Sequence, residues 1–284
     1  MKKYFSLVLF AHTIFAMPFA FIGFFLAVTT TDHEFNWVRL CMMVLCMIFA
    51  RNAAMAFNRY LDRDFDIRNE RTSRRDIPAG RISAREALVF TIINCVFFMI
   101  TTFFINPLVF ILAPVALIIV LGYSYTKRFT ALCHLVLGLG LSLAPLGAYL
   151  VVTGEFSALP VFFSLAVLCW VSGFDIIYAL QDEHFDRQEN LRSIPALLGT
   201  ERALQVSTML HVLSAVFIIL PVFFTPLSWF YYAGVGIYTG MLIFQHSLVK
   251  PNDLSRVNLA FQTTNGIASV AFAACFLLDV WLRS

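Results

Sequence analysis

Asn58-Arg-Tyr-Leu-Asp62-Arg-Asp64-Phe-Asp66 closes a long apolar segment and opens onto a run of arginines. At about 100° per residue, positions four apart drift by only about 40°, so Asn58, Asp62 and Asp66 line one face of a helix. Asp64 points roughly the other way. Three oxygen-bearing side chains in a row at a membrane boundary suit a hard cation, and the cation most often held by few carboxylates plus substrate phosphates is Mg²⁺. A second cluster answers the first: Asp175, Asp182 and Asp186 fall within about 40° of one another if they share a helix. Two facing acidic rows are what a diphosphate bridged by Mg²⁺ would need. The reading that follows is all-α, a polytopic membrane helix bundle of about nine transmembrane helices, with 1–284 as a single domain.

Composition supports the membrane half of that reading. Of 284 residues, 60% are hydrophobic and only 13% charged, against about 25% charged in soluble domains; mean hydropathy is +0.81. The first apolar stretch is too long for a signal-peptide core and no small-residue cleavage site follows it, so it reads as the first span. The six cysteines lie inside apolar segments without Cys-x-x-Cys pairs or a nearby histidine at ligand spacing, and read as small core residues. His12, His134 and His246, in or beside apolar spans, read as structural. Most of the 31 Phe and 9 Tyr must be packing or lipid-facing bulk. A minority could line a tunnel for an apolar chain or shield a carbocation.

Apolar spans fall at roughly 5–28, 36–59, 87–104, 106–124, 129–152, 157–180, 203–223, 226–247 and 258–281. The connections alternate. Those at 29–35, 105–106, 153–156 and 224–226 lack Lys and Arg, whereas 60–86, 125–128, 181–202 and 248–257 are basic. Most of the 20 Lys and Arg sit at the N-terminus or in the basic set. By the positive-inside rule the N-terminus and the basic loops are cytoplasmic and the C-terminus is outside. The expectation is an integral protein of the plasma (inner) membrane with both acidic rows at its cytoplasmic face. Its partners there are the lipid bilayer and small substrates, with no nucleic acid and no protein partner.

The loop after Asp66 carries Arg68, Arg71, Arg74, Arg75 and Arg81, whose planar donor forks suit phosphate. Pro78-Ala-Gly80 punctuates it, and Ser83-Ala-Arg-Glu86 reads as a capping box opening the third helix. The fourth span ends in Tyr123-Ser-Tyr-Thr-Lys127-Arg128, where Tyr123 and Lys127 share a face if the helix continues. Arg51 and Asp175 lie well inside apolar runs, where a charge costs about 2.5–3.5 kcal/mol on insertion scales. They call for a polar cavity or for a structural ion pair. Arg51 is about 20° off the face of Asn58 and deeper in the membrane, which suits a second anionic group on a co-substrate. The bland reading of a single aspartate row is interfacial charge balancing its arginines. Two rows with matched spacing on one side of the membrane weigh against it.

Taken together the residues resemble the UbiA superfamily of intramembrane aromatic prenyltransferases. The resemblance is carried by Asn58-x-x-x-Asp62-x-x-x-Asp66, by Asn69-Glu-Arg-Thr-x-x-Arg75-x-Ile-Pro-x-Gly80, by Tyr123-x-x-x-Lys127-Arg128, and by Asp175-x-x-Tyr178-Ala-x-x-Asp182-x-x-x-Asp186. It implies Mg²⁺-dependent transfer of a polyprenyl group from polyprenyl diphosphate to an aromatic acceptor. By the same implication Asn58, Asp62, Asp66, Asp182 and Asp186 hold the metal, Arg75, Tyr123, Lys127, Arg128 and Tyr178 contact or orient the diphosphate, and Asp175, with Asp62 and Asp182, serves catalysis. The opening Phe10-Ala-His-Thr and Arg51-Asn-Ala-Ala-Met-Ala-Phe-Asn58 look most like the branch acting on 4-hydroxybenzoate or a dihydroxynaphthoate in ubiquinone or menaquinone biosynthesis, with Arg51 holding the acceptor carboxylate. The haem branch shares the aspartates and is the alternative. A transporter is the competing class, but its ionisable residues would sit at the midplane and here they crowd one interface.

Overall fold

The computed structural model describes residues 15–283. Among them the chain is helical with no β-strand, and nine long helices follow one another: α1 Met17–Thr30, α2 Trp37–Arg68, α3 Ala84–Phe103, α4 Pro107–Thr126, α5 Cys133–Thr153, α6 Ala158–Ala179, α7 Thr200–Ile219, α8 Trp229–Leu248 and α9 Val257–Arg283. Two short helices, Glu183–Gln188 and Ile194–Leu198, lie between α6 and α7. Seven helices, α2 to α7 and α9, are long and apolar enough to cross a membrane. α1 shows 14 residues, and the start of the expected first span, with His12 and Phe10, lies outside the described residues. α8 has 20 residues, several of them Tyr, Trp and Gly, and falls outside the seven. The count of nine spans is thus approximate.

Local chemistry explains the helix starts. The Asn36 side chain accepts from the backbone N–H groups of Val38 and Arg39 to begin α2, and Asn106 does the same for Val109 in α4. The capping box at Ser83 and Glu86 forms as the sequence implies, with Ser83 N–H donating to Glu86 at 2.7 Å and Glu86 N–H to Ser83 Oγ at 3.1 Å. Gly154 ends α5 with φ of 68°, a left-handed conformation that a Cβ disfavours.

Long-range hydrogen bonds sort the loops into two ends. At one end Arg39 donates to Val152 O at 3.0 Å and Asn106 Nδ2 to Leu150 O at 2.8 Å, joining the starts of α2 and α4 to the end of α5. At the other, Arg128 donates to Leu61 O at 2.8 Å and Arg192 N–H to Lys127 O at 2.7 Å. The helices therefore run up and down, and the basic loops gather together, as the charge alternation requires.

α6 is the centre of the bundle, with 67% of its apolar window buried against 11% for α4. Around it sits an aromatic core from α1, α6, α8 and α9: Phe19, Phe163, Trp170, Tyr238 and Phe272 are all fully buried. Trp170 donates its indole N–H to Asn265 Oδ1 at 2.9 Å, satisfying the one polar atom of its ring. Gly23 lies so close to the backbone of Pro145 that an added Cβ would fall 2.0 Å from the carbonyl oxygen, the small-residue contact by which membrane helices approach closely. Most of the aromatic richness is thus packing.

Two boundaries differ from expectation, and both bear on the site. α2 runs to Arg68 rather than to about residue 59. Loss of hydropathy marks where the membrane ends, whereas nothing between 59 and 68 breaks a helix. Asn58, Asp62 and Asp66 accordingly share one helix as the spacing implies. The second row does not. α6 stops at Ala179, a 3₁₀ turn spans Leu180–Asp182, and a new helix starts at Glu183. The tighter turn, three residues rather than 3.6, rotates Asp182 and Asp186 away from the face of Asp175.

Candidate active site

The α2 row, the loop behind it, the end of α4 and the segment 182–193 converge. Asn58 Nδ2 donates to Asp62 Oδ2 at 2.8 Å and reaches Ser124 Oγ at 3.4 Å. Asp62 faces Arg128 at 3.5 Å. Asp66, 4% exposed, pairs with Arg75 at 2.6 Å, and its other oxygen, Oδ2, is buried with no hydrogen-bond partner. The loop that supplies Arg75 is itself fixed: Thr72 Oγ1 donates to Asp66 O at 3.2 Å, and Arg81 pairs with the buried Asp76 at 2.7 Å.

Across from this row, Asp182 accepts from Asn69 Nδ2 at 3.0 Å and from both Nε and Nη2 of Arg71, a bidentate pair. Arg71 also donates to the Tyr178 hydroxyl at 2.8 Å and lies 5.1 Å from the ring centroid, so Tyr178 holds it by edge and by face. Burial pulls the Arg71 guanidinium down, but its hydrogen bonds to Asp182 outweigh that and leave it above its usual value. Asp186, fully buried, faces Lys127 Nζ at 2.7 Å and accepts from Ser193 Oγ at 2.8 Å. Burial likewise lowers the Lys127 ammonium, and the Asp186 carboxylate overrides it, so the group stays above the normal lysine range.

Each of the four carboxylates thus has its own cation: Asp62 with Arg128, Asp66 with Arg75, Asp182 with Arg71, Asp186 with Lys127. Among the described residues no three acidic or histidine side chains converge to ligand distance. Four negative charges in one place repel, and pairing each with a nearby base is the arrangement that separates them. Of the remaining loop arginines, Arg68 pairs with Glu189 at 2.8 Å, so the basic loop divides between site and scaffold.

Tyr123 sits in the middle, within electrostatic reach of Arg51, Arg59, Asp62 and Asp175. α4 ends at Thr126, and Lys127 continues it only as the cap residue, with helical φ and ψ. Arg51 is half-buried in α2, donating to Met55 Sδ at 3.2 Å. Asp175 stands apart from Asp182 and Asp186. Its Oδ2 lies 2.6 Å from His134 Nδ1.

The sequence-derived candidates Asn58, Asp62, Asp66, Arg75, Tyr123, Lys127, Arg128, Tyr178, Asp182 and Asp186 are therefore brought to one end of the bundle, with Arg51 and Asp175 around Tyr123 below them. Four residues of this cluster have no site role in the sequence reading: Arg59 and Ser193, Asn69, which enters only as part of the loop motif, and His134, which reads as structural. Asn69 and Ser193 follow each acidic row by a few positions, a weak signal. Arg59 and His134 carried none, because their neighbours come from other helices. His246, read as structural, lies 2.8 Å from His211 between α7 and α8.

A helical membrane bundle with this loop-side cluster has close counterparts. In sequence the chain is 28% identical over 241 residues to the 4-hydroxybenzoate octaprenyltransferase of Aliivibrio fischeri (strain MJ11), covering 84% of this chain and 83% of that one. It is 26% identical over 233 residues to the protein of the same name from Francisella tularensis subsp. novicida (strain U112), with 82% of each covered. In structure it superposes on the apo form of a UbiA homolog from Aeropyrum pernix K1 with a TM-score of 0.85 and 31% identity, covering 94% of this chain and 98% of that one. It shares the fold of a UbiA homolog from Archaeoglobus fulgidus bound to GPP and Mg²⁺, with a TM-score of 0.75, 22% identity and coverage of 98% and 99%. The class is an integral-membrane aromatic prenyltransferase. The UbiA prenyltransferase family matches residues 16–276, and the chain belongs to that family.

Proposed function

We propose that this enzyme transfers a polyprenyl group from polyprenyl diphosphate to a ring carbon of an aromatic carboxylic acid, 4-hydroxybenzoate or a dihydroxynaphthoate, on the way to ubiquinone or menaquinone. The carrying observation is the set of four carboxylate–cation pairs at one end of the bundle. A diphosphate with a divalent metal is the ligand that can satisfy both halves of every pair at once. The buried and unpartnered Oδ2 of Asp66 fits a metal ligand, since a buried carboxylate oxygen otherwise costs about 1–3 kcal/mol or more when left unmade. Asn58, Asp62, Asp66, Asp182 and Asp186 would hold Mg²⁺, which supplies charge neutralisation as the diphosphate departs.

The chain's own residues do the rest. Arg71, Arg75, Lys127 and Arg128, turned from their carboxylates, take phosphate oxygens and stabilise the developing negative charge. Tyr178 keeps Arg71 aimed. Its ring stacks on Phe261 at 4.2 Å, so Arg71 and Phe261 share its two faces and fix its orientation. Arg51, below the metal row, grips the acceptor carboxylate, and the names of the sequence relatives favour a carboxylated phenol.

The test is transfer in membranes from a labelled polyprenyl diphosphate to 4-hydroxybenzoate and to a dihydroxynaphthoate, with and without EDTA. Prenylated product from one acceptor, lost with EDTA and restored by Mg²⁺, is the expected result. Product formation unaffected by EDTA overturns the metal reading, and no product from either acceptor overturns the acceptor class.

The proposed orientation puts the basic end in the cytoplasm of the inner membrane. Single cysteines at Thr30 and Glu155, in a background without the native ones, should label from outside intact cells. Those at Glu70 and Gln188 should label only after permeabilisation. All four positions are exposed, so failure to label reports sidedness rather than burial. Outside labelling at Glu70 would invert the arrangement.

A further inference from the structure

His134 is the second residue of α5 and is 2% exposed. Its Nε2 lies 3.3 Å from the backbone N–H of Ile194, which donates to it. Nδ1 carries a hydrogen toward the carboxylate, an acceptor only, and that hydrogen goes to Asp175 Oδ2 at 2.6 Å. Both nitrogens are committed, and His134 is not itself available to a substrate. The chain around it is also fixed, since Ser172 Oγ donates to His134 O at 3.1 Å. Asp175, held by Oδ2, keeps 24% of its side-chain surface open and lies within electrostatic reach of Tyr123. The loop that supplies Ile194 is the one whose Ser193 holds Asp186, so one loop orients a carboxylate at each level of the site.

We propose that His134 is a positioning residue for proton removal: it anchors Asp175 by one oxygen so that the other, Oδ1, receives the proton of the prenylated ring carbon. The inference rests on the prenyl-transfer reading above. In that step the bond from prenyl C1 to the diphosphate oxygen breaks, its electrons leaving on oxygen, and a ring carbon forms the new bond to C1. That carbon's C–H bond then breaks, its electrons restoring the aromatic ring and its proton passing to Asp175 Oδ1. A carboxylate free to turn would present either oxygen in many directions. A bond to one of them fixes the other, and loss of such positioning costs up to about a hundredfold.

Two near-isosteric variants separate this from a structural tie between α5, α6 and the loop. His134→Asn places an amide N–H near the Nδ1 position and keeps the donor to Asp175 while losing Ile194. His134→Gln places an oxygen near the Nε2 position and keeps Ile194 while losing Asp175. The measurements are kcat, KM for both substrates, and the isotope effect on kcat with acceptor deuterated at the reacting ring position. His134→Gln should lower kcat by about ten- to a hundredfold, leave KM for polyprenyl diphosphate within about twofold, and raise the ring isotope effect above the wild-type value as proton removal becomes limiting. His134→Asn should keep both kcat and the isotope effect near wild type. Equal losses in the two variants, or a fall in kcat with an unchanged isotope effect in His134→Gln, would make His134 a structural tie alone. A wild-type enzyme that prenylates neither acceptor in the same assay overturns the underlying reading instead, and the inference with it.

Discussion

Asp62→Asn and Asp182→Asn should each lower kcat by at least about a thousandfold while leaving the fold intact. Stabilisation of departing charge by a bound metal is worth several kcal/mol, and each 1.4 kcal/mol is a factor of ten in rate. Removing one carboxylate charge weakens the ligand set while keeping its shape. In Asp182→Asn the side-chain oxygen can still accept from Asn69 Nδ2, which now bonds it at 3.0 Å, and in Asp62→Asn the partner Arg128 keeps its bond to Leu61 O at 2.8 Å. Both positions lie at the rim rather than in the aromatic core. Purified variants compared across a Mg²⁺ titration, with melting curves alongside, give the answer. Full turnover at ordinary Mg²⁺ in both would remove the two-row metal site from consideration.

Arg51→Met should separate the acceptor from the diphosphate. Arg51 is seven residues before Asn58, about 10 Å deeper along α2, and within reach of the Tyr123 phenol. If it holds the acceptor carboxylate in a water-poor cavity, breaking that pair from one side costs about 3–5 kcal/mol. The acceptor's kcat/KM should then fall at least about a hundredfold, with KM for the polyprenyl diphosphate almost unchanged. Phenol, lacking the carboxylate, should react equally with both enzymes. A structural role predicts something else: loss of thermal stability, with both substrates suffering together. An unaltered preference for the carboxylated ring in a well-folded variant would turn attention to the loop arginines.

Local chemistry was legible in the sequence and tertiary pairing was not. The four-residue spacing of Asn58, Asp62 and Asp66 needs only a continuous helix, and the capping box at Ser83 needs only its own turn. Loop charge ordered the helices because topology acts on loops one at a time. By contrast Arg71 meets Asp182 across 111 residues and His134 meets Asp175 across 41, and no spacing rule links them. His134 looked like any histidine at the edge of an apolar span. The break after α6 was equally silent, because Ala179-Leu180-Gln181-Asp182 contains neither Gly nor Pro. The residue that ends it, Asp182, is bonded to Arg71 and Asn69 from outside the helix.

The 3₁₀ turn at Leu180–Asp182 separates two mechanical regimes. Before it, α6 is packed on all sides, and displacing Trp170 or Phe174 would open voids that nothing refills. After it, the segment through Leu198 is held by Asp182 to Arg71, Arg187 to Glu183 and Ser193 to Asp186. Arg71 and Arg187 keep 29% and 53% of their side-chain surface open, and ion pairs open to water contribute little, whereas Asp186 is fully buried against Ser193. The turn thus divides a stretch held by apolar packing from one held by polar pairs, so a substitution before Ala179 acts through shape and volume and one after Asp182 acts through charge.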